Sequence, residues 1–457
     1  MVFVKFRAVV EGIYEMKTNT EVLFSPHRAS LRQSFIGLFR KTKTSDFVRK
    51  VAETFLTRIL LIGIGLITSV IVARVLGPEG RGLYAVAATI AAMGVQLGNL
   101  GLHASNTYYV AQKPELLPFL MGNTLIASFG AGSLGLIAVL VLLSKWPYLV
   151  QIEGTLLLLA LASIPLGLAY LLFQNLLIGV QDIHSFNRIE VGHRLLTLAI
   201  MAGVISLDVK NVEMLFSANL VGLLFSFVWC FRKLKSHFAS TLSVSFSLFR
   251  THIQYGLKAY VAALLAFIVL RIDLLIIQYM LGAEQVGFYS IAVSMADLLY
   301  LLPTVVGTIL FPKLSSMHNS EEKWAYTGKV IWGIGGGMIV LCLIIIVFAK
   351  ILIGLLYGKD FLPAVPALVW LTPGIVLLSI NTIFMNYFAS TGMPWITVYS
   401  PALAALINIG LNIQFLPVFG IVGASLASDI AYAVMFTASL FFLRGRRRIR
   451  LNENSLV

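Results

Sequence analysis

Hydrophobic residues gather into twelve long segments, at about 51–76, 83–111, 117–144, 154–180, 187–206, 211–231, 251–280, 287–312, 325–356, 362–389, 395–417 and 420–443. Short polar connections separate them. A helix needs roughly 20 mostly apolar residues to cross a bilayer, so each segment is long enough to span one. The pattern predicts an all-α polytopic membrane protein with about twelve transmembrane helices.

A nine-residue phrase occurs twice. Leu76-Gly77-Pro78-Glu79-Gly80-Arg81-Gly82-Leu83-Tyr84 and Leu281-Gly282-Ala283-Glu284-Gln285-Val286-Gly287-Phe288-Tyr289 lie 205 positions apart and agree at five of nine positions. Each copy closes the first apolar segment of its half and opens the second, as a duplicated bundle requires. With six spans per half, the repeats enter the membrane in the same direction and enclose a central cavity. The predicted organisation is a basic cytoplasmic extension at 1–45, a six-helix lobe at 46–231, a cytoplasmic linker at 232–250, a second six-helix lobe at 251–443 and a basic cytoplasmic tail at 444–457. Pro165 and Pro373 each sit early in the fourth span of their half. Proline frees a helical carbonyl and invites a bend, so both are candidate hinges.

Composition excludes a soluble globule. The chain is 58% hydrophobic and 12% charged, with mean hydropathy +0.90, against roughly 45–50% and 25% in soluble domains. The net charge of +14 is concentrated in three places: Arg40, Lys41, Lys43, Arg49 and Lys50 before the first span, Arg232, Lys233 and Lys235 between the halves, and Arg444, Arg446, Arg447, Arg448 and Arg450 after the last. Twelve spans put all three on one face, which the positive-inside rule makes the cytoplasm. Both termini are therefore expected inside, at a cell inner membrane, and the basic runs are expected to anchor to membrane lipid rather than nucleic acid. The opposite loops carry scattered cations such as Arg81, Lys145 and Lys210. Cys230 and Cys342 lie in apolar spans and suggest neither disulfide nor metal. Residues 1–45 lack the apolar core of a signal peptide; a surface helix and low order both fit.

Ionisable groups cost at least ~2.5–3.5 kcal/mol at the centre of a span, so those present are candidate cavity residues. Gln96, Asn99, His103 and Asn106 follow the spacing i, i+3, i+7, i+10, one face of a continuous helix. The repeat offset takes Asn99 to Thr304 and His103 to Thr308, and Asp297 precedes them on the eighth span. These groups either line a pseudo-symmetric cavity or hydrogen-bond between helices. Arg58 lies in the first span; Lys258, Arg271 and Asp273 lie in the seventh. Arg271 either forms a bridge with Asp273 or Asp297, or contacts substrate or ion. Glu190, His193 and Arg194 read as interfacial and Asp429 as structural, while Asn408 and Asn412 could face the cavity or a neighbouring helix. The glycines of the spans, including Gly63, Gly65 and the run Gly333, Gly335, Gly336 and Gly337, read as close-packing sites, since no Lys-Ser/Thr follows to make a phosphate loop. No nucleophile constellation emerges and no enzyme is expected.

The two phrases, Arg271-Ile272-Asp273, Phe311-Pro312-Lys313-Leu314-Ser315, and Asn408 through Pro417-Val418-Phe419-Gly420-Ile421-Val422-Gly423-Ala424 carry a likeness. Over residues 46–443 the chain resembles the polysaccharide and oligosaccharide flippases of the multidrug/oligosaccharidyl-lipid/polysaccharide (MOP) exporter superfamily. The resemblance implies two lobes in a V and alternating access, with a cationic cavity for the pyrophosphate and sugar head; Arg58, Lys258 and Arg271 are the matching cations. Twelve spans, and fewer cavity arginines than peptidoglycan-precursor flippases carry, argue against a peptidoglycan substrate. The expected protein is a monomeric flippase of polysaccharide or O-antigen repeat units. It would bind substrate through Arg58, Asn99, His103, Lys258, Arg271, Thr304 and Thr308, and proton or sodium through Asp273 or Asp297. No cofactor is expected. The expected partners are the lipid-linked oligosaccharide, a polysaccharide polymerase and glycosyltransferases. The alternatives are a multidrug/cation antiporter of the same fold, disfavoured by three intramembrane cations, and a ligase or polymerase of lipid-linked glycans.

Overall fold

A computed structural model describes residues 30–133, 136, 137, 141, 145, 152 and 154–454, with side chains over most of 53–445. Twelve α-helices result: α1 Ser30–Asn99, α2 Leu102–Gln112, α3 Leu117–Leu125, α4 Gly154–Gly179, α5 Ile183–Ser206, α6 Val212–Lys235, α7 Phe246–Leu281, α8 Ala283–Ser315, α9 Ser320–Leu356, α10 Ala364–Ser390, α11 Ile396–Phe419 and α12 Ile421–Asn454. A π-helical turn, Ile126–Ala131, continues α3; most of the rest of that expected span, and the turn after it, lie outside the described residues. Among the described residues, ten helices are long and apolar enough to cross a membrane, and Leu56–Asn99 alone runs for 44 residues, enough for two spans. Residues 1–56 and 57–457 form separate compact units. In the first, the helical backbone begins at Ser30; the second is described from here on.

The repeated phrases do the same work in both halves. Gly77, at φ 70°, breaks the helical run of α1, and Gly282, at φ 87°, separates α7 from α8. Side chains other than glycine rarely adopt this backbone region. The second conserved glycines then bring the two phrases into contact. A Cβ on Gly82 would lie 1.7 Å from the Ala283 carbonyl oxygen, and one on Gly287 would lie 1.9 Å from the Pro78 carbonyl oxygen. Position 82 corresponds to 287 and position 78 to 283, so the contact maps onto itself under the duplication, as an isologous interface does.

Polar groups extend this seam at the same end. Arg74 donates to the carbonyls of Leu355 and Leu356 at 2.5 and 2.7 Å, where α9 ends, and Ser69 hydrogen-bonds to Tyr357 at 3.3 Å. A cation suits the negative end of a helix dipole. Arg81, expected among scattered loop cations, is instead buried and donates to Ser290 and Ser294 of α8. Away from that end, α7 packs on the first half. Tyr260 donates to the Leu97 carbonyl at 2.9 Å, the backbones of Gly101 and Gly256 touch, Tyr255 stacks on Tyr108, and His252 on Tyr109.

Three features differ from the sequence expectation. The second span is not continuous: Leu100 at φ 48° and Gly101 at φ 80° end α1 and start α2, so the face calculated for Gln96, Asn99, His103 and Asn106 does not exist. Of the run in α9, only Gly335 lies against a neighbour, Ile380; Gly333, Gly336 and Gly337, like Gly63 and Gly65, face nothing within 4 Å. The basic residues expected in the linker belong to the last turn of α6, and residues 236–245 make the connection to α7. Pro165 and Pro373 lie inside α4 and α10, where the candidate hinges were expected. In α10 the amide after the proline, that of Gly374, donates to the Asp429 carboxylate of α12 at 2.9 Å, a side chain satisfying backbone that proline disturbs.

Candidate functional site

The polar centre of the second half is built on α7. Asp273, 2% exposed, accepts from its neighbour's amide, Leu274 N, at 3.0 Å. Its other oxygen accepts a short hydrogen bond from the Tyr289 hydroxyl of α8 and one at 3.3 Å from the Ser428 hydroxyl of α12. Asn408 of α11 donates to Ser428, and Asn412 donates to the Asn408 carbonyl. Both are fully buried; Asn408 bonds across to α12, whereas the bonds of Asn412 stay within α11. Among the described residues Asp273 has no ion-pair partner; neutral donors from three helices satisfy it. Burying a carboxylate without such partners would cost several kcal/mol.

Arg271, two residues earlier, points elsewhere. Its guanidinium meets Asp297 of α8 at 2.8 Å, and both side chains are partly exposed, 28% and 46%. Of the two bridges open at the sequence level, the one to Asp297 forms. A cavity of about 290 Å³ lies between α7, α8, α10 and α12, lined in part by Ala266, Leu270, Tyr300, Asn381, Thr382 and Met435. A cleft of about 10 Å³, roughly one water molecule in size, touches Asp273, Tyr289, Asp297 and Tyr432 and shares Leu270 and Tyr300 with that cavity.

The remaining expected site residues are dispersed. Arg58 pairs with Glu190 of α5 at 2.8 Å and lies over the Phe186 ring. Lys258 sits 4.6 Å from the centre of the Trp395 ring of α11, a cation–π geometry. Thirteen residues separate Lys258 from Arg271 along α7, about 20 Å at 1.5 Å per residue, and no contact joins Arg58 to either. One diphosphate could not touch all three. Asn99 and His103 bond to each other, side chain to side chain at 2.7 Å and through the His103 amide at 3.2 Å, which fastens the first turn of α2 across the break. Asn106 bonds to Thr124 of α3. Thr304 and Thr308 return their hydroxyls to the carbonyls of Leu301 and Val305 in their own helix.

Sequence reasoning missed Tyr289, Ser428, Tyr300 and Asn381 as site-forming groups. Tyr289 carried a signal, being the last conserved position of the repeated phrase. Its counterpart Tyr84 packs edge-on against Phe216, 5.4 Å between centres, and the counterpart of Asp273 is Thr68, bonded to its own helix. The second half alone converts this tyrosine into a carboxylate partner. Among the described residues, no group of three His, Cys, Asp or Glu side chains could hold a metal ion.

Comparison with known proteins finds likeness both in sequence and in fold. A model described as "Polysaccharide biosynthesis protein" matches residues 182–366. That match covers less than half of the chain. It is 26% identical over 200 residues to an uncharacterized membrane protein of Methanocaldococcus jannaschii, covering 43% of this chain and 39% of that protein. Over 227 residues it is 23% identical to a probable low-salt glycan biosynthesis flippase of Haloferax volcanii, 49% of this chain and 48% of the relative. The matches thus span less than half the length of either relative. In fold, the chain is similar to a lipid II flippase in an inward closed conformation, with TM-score 0.71, 17% identity and 87% of each chain covered. It is also similar to a multidrug resistance transporter of the MOP superfamily in an inward-facing conformation, with TM-score 0.70, 16% identity, and 86% of this chain and 96% of that one covered.

Proposed function

We propose that this chain is a flippase that moves polyprenyl-diphosphate-linked oligosaccharide from the cytoplasmic to the outer leaflet by alternating access. The observation that carries the reading is the part-exposed Arg271–Asp297 pair, whose Asp297 lines a cleft that shares Leu270 and Tyr300 with the larger cavity, inside an exporter fold. A guanidinium offers a fork of donors that suits phosphate oxygens, and Asp297 occupies it only while no stronger anion is present. An arriving diphosphate displaces the carboxylate, which then takes a proton or sodium ion; Asp273 is the second candidate ion site. Arg58, held by Glu190, is another exchangeable cation, and Lys258, Asn99, His103, Thr304 and Thr308 supply polar lining along the path. The positive-inside rule places both termini in the cytoplasm and the two glycine phrases at the outer face. The assignment to a polysaccharide or O-antigen repeat unit rests on the sequence resemblance, and the Haloferax volcanii relative supports a glycan cargo more generally. Glycosyltransferases and a polymerase would act before and after it.

Loss of the protein should accumulate lipid-linked glycan on the inner leaflet. Arg271→Ala should reproduce that accumulation while the protein remains inserted; normal surface glycan in that variant would remove Arg271 from the site.

A further inference from the structure

We propose that the cavity in the second half is a subsite for one uncharged sugar of the cargo, distinct from the place of the diphosphate. The assignment rests on the flippase reading above. Its polar wall has an unspent hydrogen-bonding inventory. Asn381, 1% exposed, accepts from Ser439 through its carbonyl oxygen, and its amide nitrogen has no partner among the described residues. Thr382 donates its hydroxyl hydrogen to the Leu378 carbonyl at 2.9 Å, so in the 2.8 Å bond between Tyr300 and Thr382 the tyrosine is the donor. Its oxygen is left free to accept. Asn386 donates its amide to the Thr382 carbonyl, which leaves its own oxygen as a second acceptor.

A donor and two acceptors around an otherwise apolar wall suit sugar hydroxyls, which both give and take hydrogen bonds, while an aromatic ring and aliphatic side chains suit the C–H face of a pyranose. A hydrocarbon tail is the poorer occupant, because it would leave the Asn381 amide unpaired at a cost of about 1–3 kcal/mol. A diphosphate or uronate is poorer still. No lysine or arginine lines the cavity, so an anion seated within it would stand uncompensated. The volume, about 290 Å³, sits at the low end of the ~300–1,000 Å³ typical of ligand pockets. That is room for one monosaccharide ring. Ala266, Leu270 and Tyr300 are only partly buried, which gives the space an entrance between α7 and α8.

The test uses the full-length protein in nanodiscs and three probes: bare polyprenyl diphosphate, the same lipid carrying one neutral hexose, and the same lipid carrying one hexuronic acid. The wild type should bind the hexosyl lipid about tenfold more tightly than the bare lipid and the uronosyl lipid no better than the bare one. Asn381→Leu, which removes the free donor, and Ala266→Phe, which fills the space without touching a hydrogen bond, should both erase the hexose preference and keep the bare-lipid affinity. A preference that survives both substitutions, or equal binding of all three lipids by the wild type, would overturn the subsite alone. Loss of bare-lipid binding in Ala266→Phe would put the diphosphate in the cavity and also overturn it. A wild type that binds none of the probes would defeat the flippase reading itself.

Discussion

A carboxylate deep in a membrane helix persists only where its surroundings replace water, and Asp273 shows how few groups suffice. One amide, one phenol and one serine hydroxyl hold it, and the phenol comes from the repeated phrase. Tyr289→Phe should lower stability by about 1–2 kcal/mol, since a buried acceptor loses its best donor; thermal unfolding in detergent reads this, and an unchanged midpoint would mean that Asp273 is satisfied otherwise. Asp182, outside the spans, gives a pH-dependent counterpart. Burial alone would raise its pKa, but the Ser185 amide and hydroxyl and the Lys233 ammonium, 3.4 Å away, hold the carboxyl below the ordinary range. Where folding depresses a pKa, the unfolded chain binds more protons, so the stabilisation is complete above the unfolded value near 4 and is lost as pH falls through the lower folded value. Asp182→Ala should therefore cost about 1 kcal/mol at pH 7, as loss of an N-cap does, and progressively less as pH falls through the depressed folded value. A cost independent of pH would contradict the assignment. The chemistry-bearing residues Arg271, Asp273 and Asp297 were legible because charge is rare in a span. Ser428 and Asn381 were not, because polar neutral residues are common between membrane helices and only three-dimensional proximity singles these out.

At the scale of elements, the apolar pattern gave helix number and approximate bounds, and the repeated phrase gave the two sharp turns at Gly77 and Gly282. The break at Leu100 was hidden, because leucine carries no turn signal and the apolar run passes straight through it. Glycine proved ambiguous for a related reason: sequence shows where a side chain is missing, not whether a neighbour uses the space. Gly287 and Gly333 separate the two cases. Gly287→Ala drives a Cβ into the Pro78 carbonyl and should cost about 1–3 kcal/mol, the usual range for overpacking. Gly333→Ala meets nothing and should stay within about 0.5 kcal/mol of the parent. Equal effects on the unfolding midpoint would show that the phrase-to-phrase contact is not close-packed.

At the scale of the whole membrane-embedded unit, the two halves are fastened at the end that carries the glycine phrases, through Ser69, Arg74, Arg81 and the glycine contact, and away from it through α2 and α7. No hydrogen bond, ion pair or ring contact among the described residues joins positions 57–66 of α1 to positions 303–315 of α8. Alternating access requires the fastened end to release. The most direct measurement reconstitutes Ser69→Cys/Tyr357→Cys protein in liposomes, with a fluorescent polyprenyl-diphosphate-linked oligosaccharide on one leaflet and a short cleavable thiol crosslinker available. The account predicts protein-dependent transfer to the opposite leaflet that stops on crosslinking and recovers on cleavage. No transfer above protein-free liposomes, or transfer indifferent to the crosslink, would contradict it.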